Sequence, residues 1–358
     1  MHNNGASFAE TVFPSFGKVN VMGKRSWKMI MKTVYVLGAG FSAAANLPMM
    51  NNFLDKAKDI AEETSDNRLE NLLEKIDSLS NIKNHCKIDL LNIEEAFSIL
   101  MTEDWLKKTH HTEDMRYLIK LVIDKHTPKI SNAINENSLG ELGIKNLIKK
   151  DNPYQKIFCF LSRVMCLRYK KDLENKNRII VERFENNEKN DIITLNYDIL
   201  LENCLDIINR YVAENNKIEF SEKFSELYKL HGSIENNNSI MPPTWAKYKI
   251  DPELEKIWLK AFDKLSKANE IVFIGYSFPD TDSYFSYFFK LAIHYSKNLK
   301  KITVVNPDEK AGNRCREILG FEKLELINKK WDLFDFDAAF YNRDNDEWYY
   351  SSETLISK

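Results

Sequence analysis

The chain has 358 residues, of which 43% are hydrophobic and 29% charged, a balance that excludes a fibrous, mucin-like or largely disordered protein. Fifty-one Lys and Arg against 53 Asp and Glu leave a net charge of -2, so no global positive field gathers nucleic-acid phosphates, and direct nucleic-acid binding is not expected. Five scattered cysteines without a C-x-x-C pair predict neither a disulfide framework nor a zinc module, and they fit a reducing, cytoplasmic setting. No apolar run approaches the length of a membrane helix, and no signal-peptide pattern opens the chain.

Residues 1–32 show no sustained period and read as an N-terminal extension. The fold proper opens with Thr33–Leu37, short, β-branched and apolar, which runs into Gly38-Ala39-Gly40-Phe41-Ser42; Ala43–Ala45 is then expected to open a helix. From about 51 to 175 the apolar residues recur three and four apart, as in Leu69, Leu72, Leu73 and Ile76, which predicts a large helical insertion that includes a helix through Tyr154–Lys171. Strand signals return at Ile179–Val181, Asp191–Leu195, Leu227–Leu230, Ile271–Ile274 and Ile302–Val305, with helical stretches between them such as Asp198–Tyr211 and Leu254–Lys267. Apolarity that is continuous rather than alternating marks strands covered on both faces. The expectation is an α/β, Rossmann-like parallel sheet spanning 33–330, with 331–358 as a C-terminal tail.

Five polar or glycine turns close these strands. At the first, Gly38 and Gly40 let backbone approach a diphosphate near the following helix N-terminus, with Ala39 and Ser42 beside them; the same turn also serves as a plain tight connection. At the second, Asn196 can donate and accept at a ribose hydroxyl, while Asp198 either caps the next helix or acts directly. At the third, His231-Gly232 offers a base titrating near neutral pH. The fourth and fifth, Gly275-Tyr276-Ser277 and Asn306-Pro307-Asp308, suit phosphate or ribose contact or ordinary turn chemistry. All five sit at the strand edge where open parallel sheets bind ligands, and together they outline one dinucleotide cleft. No acidic strand end follows the first turn at dehydrogenase spacing, which argues against hydride transfer.

In this order the motifs resemble the sirtuin-like family, which carries a Gly-Ala-Gly-x-Ser loop, a Thr-Gln-Asn-x-Asp loop, a His-Gly, a Gly-x-Ser and a late Asn. The stretches Pro242-Pro243-Thr244-Trp245 and Gly275–Pro279 are similar to the bacterial sirtuin-like branch associated with antiphage defence. Three departures stand out: Pro48-Met49-Met50-Asn51 replaces the deacylase Pro-Asp-Phe-Arg, Leu195 replaces the usual Gln before Asn196, and no cysteine lies between Ser233 and Glu270, where sirtuin deacylases carry a zinc module. The resemblance therefore implies a sirtuin-type fold without that module and NAD+ glycohydrolysis to nicotinamide and ADP-ribose, with NAD as substrate and no metal. It implies His231 and Asn196 as catalytic residues. Gly38, Ala39, Gly40, Ser42, Asp198, Gly275, Ser277 and Asn306 would bind the dinucleotide. A non-catalytic NAD or ADP-ribose sensor and a protein deacylase are the competing readings. Restraint on such an enzyme is expected from a homo-oligomer or from a phage-sensing partner, a HerA-type DNA-translocating ATPase being the family precedent. The aromatic run Ser283–Phe289 reads as core or as a subunit contact.

Overall fold

The computed structural model describes residues 31–79, 93–129, 152–171, 179–183, 188–215, 227–235, 240–244, 251–279, 282–331 and 347–348. Six strands form one parallel sheet: β1 (Met31–Leu37), β4 (Glu188–Thr194), β5 (Leu227–Lys229), β6 (Glu270–Ile274), β7 (Lys301–Val305) and β8 (Leu324–Ile327). Their spatial order is β5-β4-β1-β6-β7-β8. Counted within this sheet alone, that order is 3-2-1-4-5-6, the doubly wound order of Rossmann-like folds.

The register decides where the turns fall. Leu37 lies level with Thr194 on one side and Ile274 on the other, Thr194 with Lys229, and Ile274 with Val305. The polar turns after β1, β4, β5, β6 and β7 therefore share one edge of the sheet.

Alternation along β1 builds two cores. Val34 and Val36 face α8 (Pro252–Ser266), α9 (Ser283–Tyr295) and α10 (Glu309–Leu319), while Tyr35 and Leu37 face the helical block. That block comprises α2 (Phe53–Thr64), α3 (Asn67–Ser78), α4 (Ile93–Lys107), α5 (His111–His126) and α6 (Gln155–Val164), and α7 (Leu200–Asn215) packs on the same side. Local signals set several helix starts: Asp66 caps α3 through the Arg68 and Leu69 amides, and Asp251 caps α8 ahead of Pro252.

Four expectations are corrected. Gly38 is already the N-cap of a four-residue helix α1 (Ala39–Ser42), and the tighter turn Ala43–Ala45 stops at Asn46, whose φ of 63° is left-handed. The helix expected through Lys171 ends at Val164, because Cys166 takes a φ of 57°. Leu167–Lys171 is instead strand β2, and it pairs antiparallel with β3 (Ile179–Arg183), which was expected in the main sheet, and with β9 (Glu347–Trp348). Strand β8 was not anticipated, since its side chains are only half-buried and Glu325 interrupts its apolar run. In α9, Phe285 and Phe289 are core, while Tyr284 and Tyr287 are exposed. Trp331, the first residue of the expected tail, is buried. Cys86, Trp245 and Asp280 lie outside the described residues. Among the described residues no helix is long and apolar enough to cross a membrane.

Candidate active site

The turns after β1 and β6 meet backbone to backbone. The Gly38 amide donates to the Ile274 carbonyl at 2.9 Å, and the Gly40 amide to the Gly275 carbonyl at 3.0 Å. A Cβ on Gly275 would lie 2.4 Å from the Phe41 nitrogen and 2.5 Å from the Gly40 carbonyl carbon, and Gly275 also needs a φ of +65°. Only glycine meets both requirements. These glycines are thus explained first by close packing of two loops, and two of the amides expected to face a diphosphate are committed to that packing. Trp331 closes the turn from outside, with its indole N–H shared between the Gly40 and Phe41 carbonyls and its ring stacked on Phe41 at 4.3 Å.

A short polar chain ties this turn to the end of β4. The Ser42 hydroxyl donates to Asp198 Oδ2 at 2.5 Å, so it can only accept from Asn196, whose Nδ2 lies 2.9 Å away. The same Nδ2 donates to the Gly38 carbonyl at 2.9 Å. Both partners accept, which fixes the orientation of the amide and leaves Oδ1 as the part the turn does not use. Asp198 Oδ1 accepts the Leu200 amide at the start of α7, so the capping role expected for it is present together with the Ser42 bond. Lys229 supports the loop by donating to the Asp198 carbonyl and pairing with Glu202 at 2.7 Å. Burial raises the Glu202 pKa despite that pairing.

His231 is held in one tautomer. Its Nδ1 lies 2.7 Å from the carbonyl of Leu195, the residue before Asn196. A carbonyl only accepts, so Nδ1 carries the proton and a neutral ring has its basic lone pair on Nε2. The backbone around it is pinned by the Trp258 indole on the Leu230 carbonyl and by the Met241 amide on the His231 carbonyl. The imidazole stacks on Tyr197 at 5.5 Å and meets the edge of Phe285 at 4.8 Å. The Tyr197 hydroxyl is anchored on the Met241 carbonyl at 2.6 Å.

Eight of the ten expected site residues border one cleft: Gly38, Ala39, Ser42, Asn196, Asp198, His231, Gly275 and Ser277. Gly40 and Asn306 do not border it. Gly40 is held under Trp331, and Asn306 is buried with Nδ2 on the Tyr276 carbonyl and Oδ1 on the Asp308 amide. The sequence reading missed Tyr197, Tyr276, Asp282 and Glu94, which border the cleft too. Motif order could not reveal Glu94, because it belongs to the helical block; Leu47, Met50, Ile93, Ile119 and Ile123 border the cleft with it. Burial, reinforced by the negative charges of Asp282 and Glu94, raises the pKa of the Tyr276 hydroxyl, which donates to Asp282 Oδ2 at 2.9 Å. Burial likewise raises that of Tyr197, with Glu94 the next contributor. Both phenols stay protonated donors. No group of three His, Cys, Asp or Glu able to hold a metal occurs among the described residues.

A tautomer-fixed imidazole and the Asn196 amide, bordering one cleft at the edge of a doubly wound sheet, suit the handling of a sugar hydroxyl. Residues 190–325 match the SIR2-like domain. The match runs from inside β4 into β8 and takes in Asn196, His231, Gly275 and Asn306; β1, with its glycine turn, lies outside it but is hydrogen-bonded between β4 and β6. No curated protein matches the chain. Two solved structures are similar at 13% identity and a TM-score of 0.33. One is a triply substituted Sir2 homologue in complex with 2′-O-acetyl ADP-ribose, with 81% of this chain and 90% of that chain covered. The other, described under the mechanism and regulation of Sir2 enzymes, covers 86% of this chain and 91% of its own. Both likenesses are distant, and the Rossmann-like arrangement stands on the strand order itself.

Proposed function

We propose that the protein is an NAD+ glycohydrolase that releases nicotinamide and ADP-ribose. One observation supports the reading: His231 Nδ1 is held on the Leu195 carbonyl, which leaves the basic lone pair of a neutral ring on Nε2, and His231 borders the same cleft as the nearby Asn196. In the proposed reaction the bond between ribose C1′ and the nicotinamide nitrogen breaks, and its electron pair leaves with nicotinamide. Positive charge then spreads over C1′ and the ring oxygen. Water, held by Asn196 Oδ1, forms the new C1′–O bond, and its proton passes to His231 directly or through a ribose hydroxyl. NAD+ and water become nicotinamide, ADP-ribose and one proton.

The test is nicotinamide release from NAD+ by purified protein at neutral pH. His231→Ala and Asn196→Ala should each lower it at least a hundredfold, the lower range of general-base help, while the far-ultraviolet spectrum stays that of the folded protein. A folded His231→Ala enzyme with full activity would sink the assignment. The family resemblance extends the proposal to depletion of cellular NAD in antiphage defence, restrained by a homo-oligomer or by a HerA-type ATPase partner. Cells carrying the protein should lose NAD on infection, and cells carrying His231→Ala should not.

A further inference from the structure

We propose that Arg116 is a positioning residue for His231 and that, through it, the helical block takes part in the working of the site. The inference rests on the reading of His231 as the base, and it names a residue outside every strand-end motif. Arg116 lies on α5 and does not border the cleft, but its Nε donates to the Ile240 carbonyl at 2.9 Å, across 124 positions of chain. That carbonyl and the Met241 amide are the two ends of one trans peptide unit, and the Met241 amide donates to the His231 carbonyl at 2.9 Å. Such a unit is a rigid plane whose C=O and N–H point in opposite directions. Arg116 therefore holds one end of a plate whose other end holds the backbone of His231.

The plate is set between the two cores. Ile240 is 1% exposed and packs with the helical block, whereas Met241 belongs to the core on the other face of the sheet. The Met241 carbonyl accepts the Tyr197 hydroxyl at 2.6 Å, and the Tyr197 ring stacks on the imidazole. A charged donor on the Ile240 oxygen also polarises the amide at the far end and strengthens its bond to His231. When Arg116 is removed, a buried carbonyl loses this donor, the plate is free to turn, and the His231 backbone loses the amide that steadies it. The imidazole then leaves its alignment on the Leu195 carbonyl, the bond that keeps the proton on Nδ1. Thr244 offers a comparison within the same segment. Its hydroxyl donates to the Met101 sulfur on α4 at 3.0 Å, which ties the segment to the block at a point beyond the plate.

The experiment compares Arg116→Met, which keeps the apolar stem and removes the donor, with Arg116→Lys, which keeps a cationic donor, and with Thr244→Val. In nicotinamide release Arg116→Met should lower kcat roughly ten- to a hundredfold, the cost of misplacing a catalytic group by about 1 Å, and leave KM within about twofold. Arg116→Lys should recover most of the rate, and Thr244→Val should keep it. The second readout needs no substrate. In protein carrying isotope-labelled histidine, the imidazole nitrogen resonances of His231 are those missing from His231→Ala. At about pH 8, where the ring is neutral, they should report a single Nδ1–H tautomer in the wild type and a mixture in Arg116→Met. Folded Arg116→Met protein with an unchanged kcat or an unchanged His231 spectrum would overturn the proposal. An equal loss in Thr244→Val would also overturn it, as general loosening of the segment. If Arg116→Met does not fold, Arg116→Gln takes its place under the same criteria. The two readings fail separately. Wild-type protein that releases no nicotinamide ends the hydrolase reading and leaves the tautomer measurement to decide this one, whereas release with an unaltered kcat in Arg116→Met ends only this one.

Discussion

Gly275 occupies a position that tolerates no side chain, and its consequence is measurable. In Gly275→Ala the new methyl must push Phe41 or Gly40 backbone aside while the residue keeps a φ of +65°. A loss of about 1–3 kcal/mol, with a melting temperature lower by several degrees, is expected from overpacking and left-handed strain; an unchanged melting curve would contradict the close approach. Ser42→Ala removes the donor to Asp198 Oδ2 and the acceptor for Asn196. It should cost about 1–3 kcal/mol, since a buried carboxylate oxygen loses its partner. Activity should fall with it, because Asn196 loses one of its two anchors. The sequence announced these positions by residue type and place, but not their partners. Nothing in Gly-Ala-Gly shows that Gly38 and Gly40 press against residue 275, nor that Asn306 turns both ends of its amide inward, because those pairings arise only once distant strands are laid side by side.

Between α4 and α5 a single carboxylate does the work of a cap. Asp104 accepts from the Thr109 and Thr112 hydroxyls and from the His111 and Thr112 amides at 2.6 to 2.8 Å. Burial pushes its pKa up, but these four donors together hold it below the usual carboxylate range. Asp66 is lowered in the same direction, chiefly by the Tyr117 hydroxyl. A carboxyl whose folded-state pKa is depressed stabilises fully above its unfolded value, and that stabilisation disappears as pH falls through the folded value. Urea midpoints should therefore drop between pH 5 and pH 3, and Asp104→Asn should flatten that acid limb while lowering stability at pH 7 by roughly 1 kcal/mol. A parallel acid limb in the variant would show that Asp104 does not contribute to it. Helical periodicity revealed this block, because its apolar stripes are strong. It did not reveal that the block walls the cleft, since Glu94 and Ile119 look like ordinary positions on amphipathic helices. The boundary at Val164 was illegible for a different reason: the left-handed Cys166 is a non-glycine residue that carries no turn signature.

The insertion and the sheet share one hydrophobic core, with Tyr35, Leu37 and Ile274 of the sheet packed among Phe97, Leu118 and Phe158 of the block. Such a core should melt as a unit. Denaturant unfolding followed by far-ultraviolet circular dichroism and by tryptophan fluorescence should give coincident midpoints; a block that melts ahead of the sheet would separate them. At this scale the fold class was legible, because continuously apolar strands alternating with helices leave few architectures. The separate antiparallel sheet was not, since β2, β3 and β9 are short pieces joined across most of the chain. The central strand carries one more consequence. β1 precedes every other strand of the sheet, yet its two neighbours are β4 and β6, and Lys32 meets its partner Asn269 only 237 positions later. On a ribosome adding about 5–20 residues per second, roughly 12 to 47 s pass before that partner is made. Until β4 is made both edges of Thr33–Leu37 are open, and the edge that β6 covers stays open throughout that interval, which makes this apolar strand a natural client for a chaperone that shields nascent chains.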